Sequence, residues 1–178
     1  MLLNWIRNKR NKLRISFVDS EFVDHLYDLF NKNDVWSTVD ITEYNCQLTG
    51  NKLSHIPQHF QSQIYKKKEH IHWLHILKYP PEGKLDWHNH MYFEKLSYVL
   101  YMDDVGGTVF KIKDKEVFVK SKRGKIVVFP SEYEHKAETE GKQRYVAAGG
   151  IYVAKLPAFH MRHITDSIDI SRNTHNNS

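Results

Sequence analysis

From Ile71 onward the apolar residues recur at every second position instead of every third or fourth, and this change of period is the strongest constraint on the fold. Ile71, Trp73, His75, Leu77 and Tyr79 alternate on one face of a strand that stops at Pro80-Pro81. Short strands follow at Leu96 to Met102, Thr108 to Ile112, Glu116 to Lys120, Ile126 to Phe129, His135 to Glu138 and Arg144 to Val153. Between them stand turn residues: Asp103-Asp104, Gly106-Gly107, Asp114-Lys115, Arg123-Gly124 and Gly141-Lys142. Seven of the eight glycines fall between positions 83 and 150, which confines the tight turns to this region. The rhythm predicts an antiparallel two-sheet sandwich or jelly roll.

Ahead of this region the period is helical. Phe22, Val23, Leu26, Leu29 and Phe30 make one stripe between Asp19 and Asn31, with Asp19 or Ser20 as the cap, and predict a helix packed on a sheet. Residues 32 to 69 are polar and irregular, with a short helix expected from Pro57 to Lys66. The tail from Ser167 is polar and expected to fray. The fold class is therefore mainly β (α+β), and 178 residues suit one structural domain. Within it we divide a basic arm and helical support region (1–70), a β core (71–155) and a C-terminal extension (156–178).

The net charge of +5 suggests a polyanion partner until it is located. Arg7, Lys9, Arg10, Lys12 and Arg14 occupy the first 14 residues without an acid, and 26 basic residues less these five leaves 21, against 21 acidic. The rest of the chain is formally neutral. The arm could raise affinity for nucleic acid, but a solvated lead-in is the plainer reading, and the same holds for Lys66, Lys67 and Lys68. The order MLLNWI then RNKRNKLR reverses that of a secretory signal, and no apolar run is long enough to cross a bilayer. The single cysteine, Cys46, forms no internal disulfide and reads as buried filler, so a reducing, cytoplasmic setting is expected.

Twelve histidines cannot all be ligands, and position chooses among them. His88 and His90 lie two apart at the start of a strand, a spacing that places both rings on one face. His135 follows 45 residues after His90, beyond the strand ending at Phe129 and the turn Pro130-Ser131-Glu132. In a two-sheet sandwich the third imidazole can join the other two around one metal, and imidazole suits Fe(II), Zn(II) and Cu(II) alike. A surface-histidine reading competes at this point, and His55, His59, His70, His72, His160, His163 and His175 are assigned to it.

Three strings then carry a family likeness across residues 71 to 153: WLHILKYPPEGKLDWHNH, LSYVLYMDDVGGTVFKI and RGKIVVFPSEYEHKAETEGKQRYVAAGGIYV. In order, they resemble the strand, turn and metal motif, the Gly-Gly-Thr-x-Phe strand pair, and the closing segment of prolyl 4-hydroxylase-like 2-oxoglutarate/Fe(II) oxygenases. The resemblance implies a double-stranded β-helix, the jelly roll of that family. It implies Fe(II), O2 and 2-oxoglutarate, with ascorbate in support, and hydroxylation of an unactivated C–H bond with succinate and CO2 as co-products. On this likeness His88 and His135 are metal ligands, and Arg144, nine residues after His135, grips the distal carboxylate of 2-oxoglutarate. A guanidinium fork suits that task. Tyr79 and Tyr101 fall where family members place phenols that help bind it. Ala148 and Gly150, on the same strand face as Arg144, are expected to leave room for the cosubstrate.

The departure is at His90, where the family usually carries Asp. A third neutral imidazole leaves the metal more positive than a carboxylate would. An outlying group of oxygenases with His-x-His before a Leu-Ser strand is similar. Two rivals stay open: a cupin-type three-histidine dioxygenase that does not use 2-oxoglutarate, with Glu94 joining His88, His90 and His135, and a catalytically silent metal-binding domain of the same fold. Were His90 a bystander, Glu94, Asp86 or water would complete the site. The substrate is a protein side chain, prolyl first among them, or a small molecule. Trp87, Tyr92 and Phe93, with Trp73, are the candidates for its pocket.

Overall fold

In the computed structural model, residues 13–33, 36–38, 46–83, 85–90 and 94–153 are described, the side chains of 36–38 and Val153 excepted. The chain runs β1 (Arg14–Phe17), α1 (Ser20–Asn31), β2 (Trp36–Thr38), β3 (Gln47–Thr49), α2 (Gln58–Gln61), β4 (Glu69–Tyr79), β5 (Leu85–His88), β6 (Leu96–Tyr101), β7 (Gly107–Ile112), β8 (Lys115–Lys120), β9 (Lys125–Pro130), β10 (His135–Glu138) and β11 (Arg144–Val153). Two antiparallel sheets result, a large one in the order β1-β9-β6-β11-β4-β3-β2 and a small one in the order β5-β10-β7-β8. This is the expected jelly roll.

The large sheet has two covered faces, which explains why its central strands read as continuous apolar runs. β6 is buried from Ser97 through Tyr101. Its outer face packs on α1 through Phe22, Val23, Leu26 and Phe30, and on the segment holding Ile56, Phe60 and Ile64. Phe22 and Phe60 stack at 4.9 Å. Its inner face, with Tyr79, Val99, Tyr101, Val127, Phe129 and Val146, meets Phe110, Ile112 and Val119 of the small sheet. β8 has one solvated face and shows it as alternation.

Several expectations change. The strand expected from Ile71 begins at Glu69, and it does not keep one face throughout: Gly150 pairs with Trp73 but Ile151 with Ile71, so His72 is an extra residue in a bulge. Trp73, His75, Leu77 and Tyr79 stay on the inner face, while Ile71 joins Leu74 and Ile76 in the outer core. Residues ahead of position 71 contribute β1, β2 and β3 to the same sheet. Asp19 is the N-cap by position but makes no side-chain cap; its carboxylate accepts instead from Gln63 Nε2 at 3.0 Å. Arg14, counted with the basic arm, opens β1 and forks onto Glu69 at 2.8 and 2.7 Å, beside a buried Leu13. The other four charges of the arm, and the tail from Ser167, lie outside the described residues. No helix among the described residues is long and apolar enough to cross a membrane.

Candidate metal centre

β10 lies between β5 and β7, and its first residue does the assembling. His135 stands directly opposite His88 on one side and Phe110 on the other. Its ring centroid is 4.1 Å from that of His88, and the ring is packed by Phe110 at 5.9 Å and Phe129 at 4.7 Å. His88 is the last residue of β5, so the strand ends rather than starts at the motif. His90 lies past that end, where its N–H donates to the Ser131 carbonyl at 2.9 Å. That bond folds the chain back, leaving the His90 ring 5.1 Å from His88 and 5.3 Å from His135.

One ligand nitrogen from each ring comes within 4.8 Å of the others. A metal bonded at about 2.1 Å to three such nitrogens would draw them to roughly 3 Å apart, a modest contraction. Orientation favours binding as well. Nδ1 of His88 is 2.8 Å from the Asp86 carbonyl and Nδ1 of His135 is 3.0 Å from that of Tyr133. A carbonyl can only accept, so Nδ1 carries the hydrogen in both rings and Nε2 keeps its lone pair for a metal. Burial holds all three imidazoles below their ordinary pKa: His90 to about 4, with His88 adding to the effect, His88 itself lowered, and His135 well below. They are therefore neutral at pH 7, the form a metal requires.

Arg144 opens β11 on the inner face of the large sheet, opposite the small sheet that carries His88 and His135, and is 1% exposed. Its Nη1 donates to the carbonyls of Gly107 at 2.7 Å and Glu138 at 3.3 Å. Nη2 has only a 3.4 Å contact with Thr108 Oγ1, and buried Nε has no partner. The guanidinium makes no ion pair among the described residues, although a buried charge ordinarily needs one. It lies 5.7 Å from the ring of Tyr79 and 5.3 Å from that of Tyr101. The Tyr101 hydroxyl donates to the Val119 carbonyl at 3.3 Å, and burial raises both phenols above their ordinary range. The Nε–Nη2 edge is thus the side left to receive a carboxylate, which fits a dianionic cosubstrate between Arg144 and the histidines.

Between these two ends the inner face carries Ala148, opposite His75 and Val99. Nδ1 of His75 donates to the Thr49 carbonyl at 2.7 Å. The space at Gly150 is not open as expected: a Cβ there would stand 2.5 Å from Cδ of Glu94 and 2.7 Å from Nε1 of Trp73, which fill it. Glu94 lies outside the ligand cluster, its carboxylate accepting from Trp73 and Ser97 at 3.2 Å each. Asp86 is exposed and also outside it. Trp87 points to the opposite face of the small sheet, under Nζ of Lys111 at 4.3 Å and Lys136 at 4.9 Å, because it is the immediate neighbour of His88 in β5 and side chains alternate along a strand. It is not brought to the histidines. Trp73 is, with its ring 6.1 Å from His90. Tyr92 and Phe93 lie outside the described residues, as do His160, His163 and His175. Reading the sequence missed Ser97, Ser131 and His75, for which a pairing register was the needed signal.

No family model matches the chain, and no curated protein matches its sequence. Solved structures do match in fold. A prolyl-4-hydroxylase of Pseudomonas putida superposes with a TM-score of 0.65 and 17% identity, over 82% of this chain and 95% of the other. HygX of Streptomyces hygroscopicus, with nickel and 2-oxoglutarate bound, gives 0.62 and 9% over 83% and 85%. A prolyl hydroxylase of Trichoplax adhaerens, in complex with a hypoxia inducible factor peptide, gives 0.58 and 11% over 82% and 85%. The chain has the jelly-roll fold of the 2-oxoglutarate/Fe(II) oxygenases.

Proposed function

We propose that this chain is a 2-oxoglutarate-dependent non-haem Fe(II) dioxygenase, with its metal on Nε2 of His88, His90 and His135 and the distal carboxylate of 2-oxoglutarate on Arg144. The observation that carries the reading is Arg144: a guanidinium 1% exposed, with an unpartnered Nε and no ion pair among the described residues, facing the small sheet whose strands carry His88 and His135. A cupin-like site would need no such residue, and Glu94, its fourth ligand, is held elsewhere. Fe(II) with O2 and 2-oxoglutarate would supply the oxidation of an unactivated C–H bond, releasing succinate and CO2, with ascorbate keeping the iron reduced.

The chain's own residues supply positioning and a dry site. Backbone carbonyls fix the tautomers of His88 and His135, Phe110 and Phe129 exclude water behind His135, and Tyr79 and Tyr101 flank the guanidinium so that it meets a carboxylate in one orientation. The substrate we favour is a prolyl or other protein side chain, with a small molecule as the alternative. The Pseudomonas and Trichoplax neighbours are prolyl hydroxylases, and HygX has been seen with hygromycin B. Cytoplasmic residence completes the proposal, with no role in nucleic-acid binding assigned to the basic arm.

The test is formation of succinate from 2-oxoglutarate by the full chain with Fe(II), ascorbate and O2. Succinate formation that disappears in His135→Ala and Arg144→Ala supports the reading. Oxygen consumption without succinate would favour the cupin-like chemistry, and metal binding with neither would favour a silent domain.

A further inference from the structure

Three neutral imidazoles leave both charges of a divalent cation uncompensated by the ligand set. A second uncompensated charge lies in the same part of the fold. Glu94 is 6% exposed and pairs with no Lys, Arg or His among the described residues. An isolated buried carboxylate is unfavourable, and burial pushes its pKa above the ordinary range. Its position is nevertheless built with care. Oε2 accepts from Trp73 Nε1 and Oε1 from Ser97 Oγ, each at 3.2 Å, and Ser97 Oγ is 2.8 Å from Ser131 Oγ.

Both partners lead back to His90. The ring of Trp73 lies 6.1 Å from that of His90, and the Ser131 carbonyl accepts the His90 N–H at 2.9 Å. Gly150 makes the arrangement possible, since any Cβ there would collide with the carboxyl. Trp73, Gly150, Ser97 and Phe129 form one row across the inner face, and Phe129 packs on His135, so the carboxylate stands in the row next to the histidines.

We propose that Glu94 is a positioning residue that supplies, from outside the ligand set, the negative charge that the three histidines do not provide. The carboxylate that Asp would contribute at position 90 has in effect been moved one layer outward. It balances the cation through Trp73 and Ser97 and leaves the metal itself with neutral ligands. This rests on the metal reading of the histidine cluster, and the test separates the two.

The experiment is calorimetric titration of Co(II) into the full chain at pH 7.5, with the parent, Glu94→Gln, His90→Asp and the double variant. Glu94→Gln is expected to weaken Co(II) by about 10- to 100-fold, the range of lost outer-shell partners, without lowering the unfolding temperature of the metal-free protein. In the His90→Asp background, where a carboxylate is restored to the metal, the same change should weaken binding less than about threefold, a coupling that a purely structural anchor would not show. Loss of the same factor in both backgrounds, or Co(II) binding by Glu94→Gln within about twofold of the parent, would overturn the inference while leaving the metal site standing. A parent chain that binds no Co(II) overturns both. If the amide is not accepted in the notch, Glu94→Ala carries the test: formate should restore affinity and formamide should not, and equal rescue or none contradicts the proposal.

Discussion

At the scale of single residues, position 90 separates the competing accounts of the site. His90 is drawn to His88 and His135 by one backbone hydrogen bond and by the end of β5, so its ring is a neighbour of both without sharing a ladder with either. If it is a ligand, His90→Ala should lose metal about as severely as His88→Ala or His135→Ala, with metal content after dialysis as the measurement. His90→Asp should keep Fe(II) and support 2-oxoglutarate turnover at least as well as the parent, because it restores a carboxylate in the geometry of a facial triad. Normal metal content in His90→Ala would remove it from the site. Arg144 is equally exposed to test, since its Nη1 is held by carbonyls and only the Nε–Nη2 edge remains for a ligand.

At the scale of elements, β1 is worth more than its four residues suggest. It closes the edge of the large sheet against β9, buries Leu13 in the inner core, and ties Arg14 to Glu69 at the start of β4. Deleting residues 1–17 should therefore destabilise the protein by at least about 2–4 kcal/mol, the range for losing a buried leucine together with the pairing around it. Urea denaturation of the truncated and full chains measures it. The arm was read as ending at Arg14 because charge alone marked it, and β1 is only four residues long with its apolar Ile15 and Phe17 on the exposed face. The strands from β6 onward were legible for the opposite reason: β6 and β9 are buried on both faces and so nearly unbroken in apolar residues, and turn residues mark their ends. A bulge defeated the reading elsewhere: one extra residue at His72 moved Ile71 to the outer face. Trp87 stands away from the histidines by ordinary alternation, as the strand neighbour of His88. The candidate site followed the same division. His88, His135 and Arg144 were singled out from spacing and family likeness, while the surroundings of Glu94 required knowing that Trp73, Gly150 and Ser97 share a row.

At the scale of the whole molecule, burial of imidazoles sets a pH dependence. His72, His88, His90 and His135 all have folded pKa values below the ordinary 6.5, by burial first in each case. Above pH 6.5 these rings are neutral in both the folded and unfolded chain and contribute no difference. As the pH falls below 6.5 the unfolded chain takes up protons that the folded one refuses, so stability must fall, with a limiting slope of about 1.4 kcal/mol per pH unit for each such group until its folded pKa is reached, which for His90 is about 4. Glu94 and Asp103, raised by burial, act in the opposite direction and are outnumbered. Chemical denaturation of the metal-free protein should thus show a lower midpoint at pH 5.5 than at pH 7.5, and an unchanged midpoint would mean that the rings are not buried as described.

On the proposal made above, the histidine cluster and the buried guanidinium are two ends of one metal and 2-oxoglutarate site. Anaerobic calorimetry of 2-oxoglutarate binding to the Fe(II)-loaded chain tests it directly. We predict one molecule bound per chain, dependent on the metal, and lost or greatly weakened in Arg144→Ala while the Fe(II) content of that variant stays that of the parent. A chain that holds Fe(II) yet takes up no 2-oxoglutarate, or an Arg144→Ala variant that binds it with unchanged affinity, would contradict the account.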